Sequence, residues 1–371
     1  MDLRTARLIL NALPGIGPIA YHRLTTALGN DPTRIFQATR TQLLSIKGIG
    51  KNTADTLQNW KQHFDPDREQ QKLTTRNLHF HIPEDGPSYP PLLREIDDPP
   101  IGLYATANPY THGTRAIGIV GSRRHTAYGL QMARTLAREL AATGWCIISG
   151  LARGIDTAAH QGALEANGPT TAILGNGIDI VYPPENLELY RRIATTGTLL
   201  SEFPLGRPAD KQTFPMRNRI ISGIARALIV IESDLNGGSM ITARFAADQN
   251  RLVCALPGRA DQPTSRGCHA LIRDGATLVT TADEILQEIG EPRTTPPTTN
   301  TPQPTLPLPA PANATEAQIL QHLTGGLALS PDTLAEKTQR PIPELIGTLL
   351  MMELNHLIQK TPDGRYEIPT T

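Results

Sequence analysis

Four glycine turns hold the residues that could do chemistry. Gly121-Ser122-Arg123-Arg124, Gly150-Leu151-Ala152-Arg153-Gly154-Ile155-Asp156, Gly175-Asn176-Gly177-Ile178-Asp179 and Asn236-Gly237-Gly238-Ser239 each lie just after an apolar, β-branched run. Glycine lets backbone N–H groups approach an anion. Ser122 adds a hydroxyl and Arg123 a planar, two-pronged cation. Gly150, Arg153 and Gly154 repeat that logic. From Arg115 to Arg138 there are five arginines and no acid before Glu139, so a phosphate-bearing partner is the first expectation. The run Arg217-Asn218-Arg219 puts two cations in the first turn of a helix, where each opposes the macrodipole by about 0.3–1 kcal/mol. An anionic ligand would relieve that cost; so would pairing with Asp179, Glu202 or another strand-end acid. Gly237, Gly238 and Ser239 open a helix expected over Met240–Gln249. Its bare N–H groups suit phosphate, and Ser239 as a helix cap explains the same residues. Asp156 reads as the N-cap of the helix after its turn.

Other chemistries fit less well. A dinucleotide fingerprint wants G-x-G-x-x-G with an acid about 20 residues on, whereas Gly118 and Gly121 are followed by Ser-Arg-Arg and the next acid, Glu139, falls inside a helix. Asp156 and His160 stand four apart on a helix, a spacing that could hold a metal, but no third ligand is suggested nearby, and no cofactor is expected. There is no Gly-x-Ser-x-Gly elbow and no Walker A run.

Strands alternating with helices must position these turns. Strands are expected at 116–120, 145–149, 171–175, 198–202, 227–232, 251–255 and 276–279, with a helix over 127–142 whose apolar positions Leu130, Ala133, Leu136, Ala137 and Leu140 share one face. The expected fold is α/β: an extended Rossmann-like, mainly parallel sheet over 71–290 that binds ligands at its strand ends. Residues 1–70 form an N-terminal all-α unit. Leu13-Pro14-Gly15-Ile16-Gly17 and Ile46-Lys47-Gly48-Ile49-Gly50 recur 33 residues apart, each opening a helix, which resembles a helix-hairpin-helix (SAM-like) pair. Residues 291–313 read as a proline-rich linker. Residues 314–371 show three helices and a hairpin, the winged-helix pattern; its third helix, over 343–354, has Glu344 and Glu353 but no Lys or Arg. A protein contact or a structural role suits it at least as well as a DNA groove.

At 371 residues, two or three domains are expected. Formal net charge is zero, so any nucleic-acid site must be a local patch. Cys146, Cys254 and Cys268 read as small hydrophobes in a reducing compartment. No apolar run approaches the roughly 18 residues of a membrane span, and Arg4 and Arg7 interrupt any signal-peptide core. A cytoplasmic protein without a membrane partner is expected.

The motifs IVGSRR, SGLARGID-x3-H, AILGNGID-x2-YP, LLSEFP, FPMRNRIISG, ALPG and GCHALIRDGA resemble the DNA-processing protein A (DprA/Smf) family, densely and in order over about 89–290. The resemblance implies a non-enzymatic homodimer that binds single-stranded DNA, protects incoming strands and loads a RecA-type recombinase in natural transformation. The DNA-binding residues expected are Gly121, Ser122, Arg123, Arg124, Gly150, Arg153, Gly154, Arg217, Asn218, Arg219, Gly237, Gly238 and Ser239. Asn236-Gly237-Gly238-Ser239 departs from a more usual Ser-Gly-Ser, and Cys268 stands where Asn is common. Two other readings compete. One is a nucleotide-phosphate hydrolase of a related fold, although NGGSMITARF lacks the glutamate such enzymes need. The other is a scaffold acting through its winged helix.

Overall fold

The computed structural model describes residues 1–291, 313–323, 327–355, 357–361 and 363–368. The expected linker lies outside them except for its end residues, as do His356 and Pro362 of the expected hairpin. Two compact units result, Met1–His125 with Met132–Pro292 and Thr126–Gln131 with Arg293–Thr371.

The larger unit is built on nine strands: β1 Leu78–His81, β2 Leu103–Thr106, β3 Ala116–Gly121, β4 Cys146–Ser149, β5 Thr170–Leu174, β6 Thr198–Ser201, β7 Ala227–Ile231, β8 Leu252–Ala255 and β9 Thr277–Leu278. Their order is β1-β2-β6-β5-β4-β3-β7-β8-β9. β2 runs antiparallel to both neighbours, and every other pair is parallel. Strand order reverses between β3 and β7, so the crevice outside their C-terminal ends is the topological switch point. All seven expected strands are present, shifted by no more than a residue or so at each end.

Side-chain alternation assigns the two faces. Val120, Ile148, Ile173, Leu200 and Val230 pack with Ile220, Ile221 and Ile224 on one side. Ala172, Leu174 and Leu199 pack with Leu164, Leu189 and Ile193 on the other. The helices of this body are α7 Ala127–Ala142 from Met132 onward, α8 Ile155–Glu165, α9 Leu187–Thr196, α10 Thr213–Ile224, α11 Gly238–Asp248, α12 Arg266–Arg273 and α13 Ala282–Glu288, preceded in the chain by α1 Leu3–Ala12, α2 Pro18–Ala27, α3 Arg40–Ser45, α4 Lys51–Gln58, α5 Trp60–His63 and α6 Pro66–Thr75. All three cysteines are buried and unpaired.

Gly17 and Gly50 stand at the N-caps of α2 and α4, so the 33-residue repeat is a structural one. A boundary at residue 70, however, falls inside α6. Leu8 of α1 and Leu73 of α6 join Phe80, Tyr104, Ala172 and Leu199 in one apolar cluster. Arg7 donates to the Ile101 carbonyl at 3.0 Å and pairs with Glu84 at 2.5 Å. The N-terminal helices thus complete the core at one edge of the sheet.

In the smaller unit, α14 Ala314–Leu323, α15 Pro331–Thr338 and α16 Ile342–Leu354 pack around Ile319, Leu334, Leu345, Leu349 and Met352. Ser330 caps α15 by accepting from the Thr333 N–H. β10 Gln359–Lys360 and β11 Tyr366–Glu367 form the antiparallel wing, and Leu329 bridges to Tyr366. Among the described residues no helix is long and apolar enough to cross a membrane.

Leu73 is 1% exposed. Leu73→Ala is expected to cost about 2–5 kcal/mol and to lower the urea midpoint of Trp60 in the helices and Trp145 in the sheet together. Early loss of the Trp60 signal with Trp145 unmoved would contradict a shared core.

Candidate functional site

The switch point opens as a cleft of ≈ 540 Å³. It brings together Gly121, Ser122, Arg123 and Arg124 after β3, Arg217 and Asn218 from α10, and Gly237, Gly238 and Ser239 at the start of α11. These come from three separate stretches of the expected set. Gly121 pairs with Ile231 of β7, and a Cβ there would collide with the Ile231 carbonyl and the Ile155 side chain. The Ser122 N–H then donates to the Glu232 carbonyl at 2.7 Å, fixing the turn.

The hydroxyl of Ser122, expected to meet an anion, and that of Ser239, expected as a helix cap, are both committed elsewhere. Ser122 Oγ donates to the Arg124 carbonyl and accepts from the Arg124 N–H, both at 2.9 Å. Ser239 Oγ donates to Ser233 Oγ at 2.8 Å and is buried. Ser239 does not cap its helix; Gly237 does, with no side-chain bond. Gly238 beside it is open to the cleft, with no atom within 4 Å of where a Cβ would stand. The Gly237 N–H is taken by the Asp234 carbonyl at 2.9 Å, so of the loop's expected anion-binding N–H groups this one is committed.

The cations divide into two classes. Arg123 and Arg124 are exposed, and neither is in an ion pair among the described residues. Arg123 lies 5.1 Å from the centroid of Phe214, whose ring packs beside Tyr182 at 5.4 Å with a tilt of 36°. Arg217 is 3% exposed and forms part of the cleft floor. Its guanidinium donates to the carbonyls of Gly150, at 2.6 Å, and Ile173. Burial holds its pKa down at about 10, against the pull of Asp156, and its Nε has no partner.

Arg219 and Arg153 do not reach the cleft. Arg219 is buried between Glu202 at 2.5 Å and Asp98 at 3.1 Å. Two residues apart on a helix diverge by about 200°, so Arg217 and Arg219 could not serve one ligand. Arg153 points at Glu185. Gly150 and Gly154 act by closeness: a Cβ at Gly150 would strike the Arg217 guanidinium, and Gly154, at φ +81°, packs on the Ser122 carbonyl. Asp156 is not the N-cap of α8, a position held by Gly154. It accepts instead from the N–H groups of Gly150, at 3.1 Å, and Ala152, at 3.4 Å. Burial raises its pKa, with Arg217 opposing. The turn at 175–179 is structural too: Asn176 Nδ2 donates to two nearby carbonyls, and Asp179 pairs with Arg76.

His160 does not join Asp156 as a ligand pair. Its Nδ1 is 2.7 Å from Thr170 Oγ1, which donates onward to the Ile147 carbonyl, so Nδ1 carries the proton. Among the described residues no three His, Cys, Asp or Glu gather as a metal site. Lys211, an exposed loop residue at the cleft, escaped the sequence reading. Its only signal was a position three residues before Phe214.

Comparison with known proteins follows the same residues. The model of the family described as DNA recombination-mediator protein A matches residues 80–290, and that of the DprA winged helix domain matches 302–364. Protein Smf of Escherichia coli is 37% identical over 295 residues, 77% of this chain and 76% of its own. DNA processing protein DprA of Bacillus subtilis is 41% identical over 211 residues, 57% of this chain and 71% of its own. Among solved structures, the fold resembles DNA processing protein A of Streptococcus pneumoniae, with TM-score 0.66, 29% identity, and coverage of 78% of this chain and 99% of that one. It also resembles that of Helicobacter pylori, described for its single-stranded DNA binding mode, with TM-score 0.51, 32% identity and coverage of 54% and 92%.

Arg217→Met leaves two buried carbonyls unsatisfied and Asp156 without its cation; a loss of about 2–4 kcal/mol in urea unfolding is expected. An unchanged midpoint would refute the anchoring role. Burial pushes the His160 pKa down to about 3, below its unfolded value of roughly 6.5. Its contribution is therefore complete above about pH 6.5 and is lost as pH falls, because only the unfolded chain takes up the proton. Between pH 7 and pH 5 the wild type should lose about 2 kcal/mol more than His160→Gln; parallel pH profiles would contradict this.

Proposed function

Because the chain belongs to the DNA recombination-mediator protein A family, we propose that it binds single-stranded DNA in the cleft between β3 and β7 and passes the strand to a RecA-type recombinase. It acts as a binding protein of transforming DNA, not as an enzyme. The observation that carries this reading is Arg123, in no ion pair at the cleft mouth and set over Phe214, whose ring packs at a tilt beside Tyr182. The guanidinium suits a phosphate. The rings suit an unstacked base, which a single strand can offer and a duplex cannot without flipping one out. Arg124, Lys211 and Gly238 line the same cleft and extend the surface along a backbone.

The hydrolase reading is weaker on the same geometry. Such an enzyme needs a carboxylate free to activate water. Of the two acids lining the cleft among the described residues, Asp156 is buried and bonded to Gly150 and Ala152, which leaves the exposed Asp234, its Oδ1 accepting from the Leu235 N–H, as the one candidate.

Gel shifts with single- and double-stranded oligonucleotides at two salt concentrations test the proposal. Tighter single-strand binding is expected, weakening with salt at a log–log slope of about −0.7 per phosphate neutralised. Arg123→Ala should lose about tenfold in affinity or more and reduce the slope by about one contact. Arg219→Met should cost stability yet leave the affinity of the folded protein within about twofold, since its charge is spent on Glu202 and Asp98. Equal affinity for both DNA forms, or no loss in Arg123→Ala, would sink the reading. Free base released from a nucleoside monophosphate would promote the hydrolase.

A further inference from the structure

We propose that a DNA strand held in the cleft continues over Pro215 into a second groove, between α10 and the start of α2, and meets its next cations on the N-terminal helices. The inference rests on single-strand binding at the cleft. The groove has a volume of ≈ 480 Å³ and is walled by Pro18, Ile19 and Arg23 of α2, Pro215 and Met216 of α10 and Phe245 of α11. Pro215 lines the cleft as well, so the two spaces share a wall. α11 joins them a second time. Ile241 lines the cleft and Phe245 the groove, and residues four apart stand on one face of a helix.

Between the two openings the surface is apolar. Ile19 is 59% exposed, Met216 44% and Ile241 41%, and Phe245 is half-buried. Such side chains suit the faces of unstacked bases, which a single strand presents and a duplex hides. Beyond them the surface turns cationic. Arg23 is exposed, and its guanidinium packs on Gly48, where a Cβ would strike it. Lys47 and Lys51 flank that glycine and are exposed too. None of the three is in an ion pair among the described residues. The acid of the groove, Asp98, faces the buried Arg219 at 3.1 Å, so its charge is offset at close range.

An apolar strip that starts at one group of cations and ends at another matches a chain of bases linked by phosphates. A protein partner of the strip would leave the cations at its far end unmatched. The two copies of the internal repeat take unlike parts in this surface. The first supplies Ile19 and Arg23, just after the Gly17 cap of α2, and the second supplies Lys47 and Lys51, on either side of its glycines.

The test uses the full chain and oligothymidylates of about 4 and about 16 nucleotides, the range of site sizes seen in single-strand binders. Arg23→Ala combined with Lys47→Ala is expected to lose about tenfold in affinity for the longer strand and to reduce its salt slope by about 1.4, two contacts at about 0.7 each. Its affinity for the shorter strand should stay within about twofold of wild type, because the cleft alone holds it. Ile19→Glu should likewise weaken only the longer strand, by about fivefold. Arg123→Ala should weaken both. The control is Arg138→Ala with Arg192→Ala, exposed cations of α7 and α9 that line neither opening. All the substituted positions are exposed, so the fold is not at issue. Wild-type affinity of the Arg23 and Lys47 variant for the longer strand, equal losses on both lengths, or an equal loss in the control overturns the continuation and leaves the cleft standing. No loss in Arg123→Ala on either length overturns cleft binding itself, and the continuation with it.

Discussion

A single buried guanidinium sets the geometry of the cleft. The C-terminal ends of β4 and β5 leave the carbonyls of Gly150 and Ile173 beneath its floor, out of reach of water, and Arg217 donates to both. Unmet, each would cost on the order of 1–3 kcal/mol. The bond also fixes α10 in rotation and in height. With Arg217 turned to the cleft, Phe214, nearly one turn earlier and so on much the same side of α10, lines it too. Arg219, two residues on, is turned away to Glu202 and Asp98. Asp156 steadies the neighbouring turn by gathering two of its N–H groups. Apart from the Arg217 Nε, the floor is thus a set of bonded polar groups, and the lip above it carries the exposed cations Arg123 and Arg124.

Much of this was legible in the sequence. Buried parallel strands are nearly continuous runs of Ile, Val, Leu and Ala that end at glycine, and such ends are sharp. The strands, the switch-point turns and the winged helix follow from that pattern. What could not be read was direction. Arg217 and Arg219 look alike along the chain, and only helical geometry separates a floor residue from an edge ion pair. Arg153 carries no mark of its bond to Glu185, which is 32 positions away. The hydroxyls of Ser122 and Ser239 looked available because the acceptors that claim them, the Arg124 carbonyl and Ser233 Oγ, depend on turn conformation. The boundary at 70 failed for a similar reason: Leu73 and Leu8 find partners in strands that the sequence places much later.

The two units divide the chemistry. Exposed cations and paired rings sit at the switch point of the sheet, whereas the third helix of the winged unit presents hydrocarbon. The second suits protein contact and the first suits a polyanion, so neither surface duplicates the other.

The ion pairs around the sheet have a kinetic consequence. Arg153 is matched by Glu185, Arg207 by Asp210 and Arg259 by Asp261, and the whole chain sums to zero charge. Beyond a Debye length of about 8 Å, little field remains to draw a distant polyelectrolyte. Arrival is then a matter of random collision, with on-rates near the ordinary 10⁵–10⁷ M⁻¹s⁻¹. A polyanion held at such a site would be kept by slow departure, not gathered from a distance.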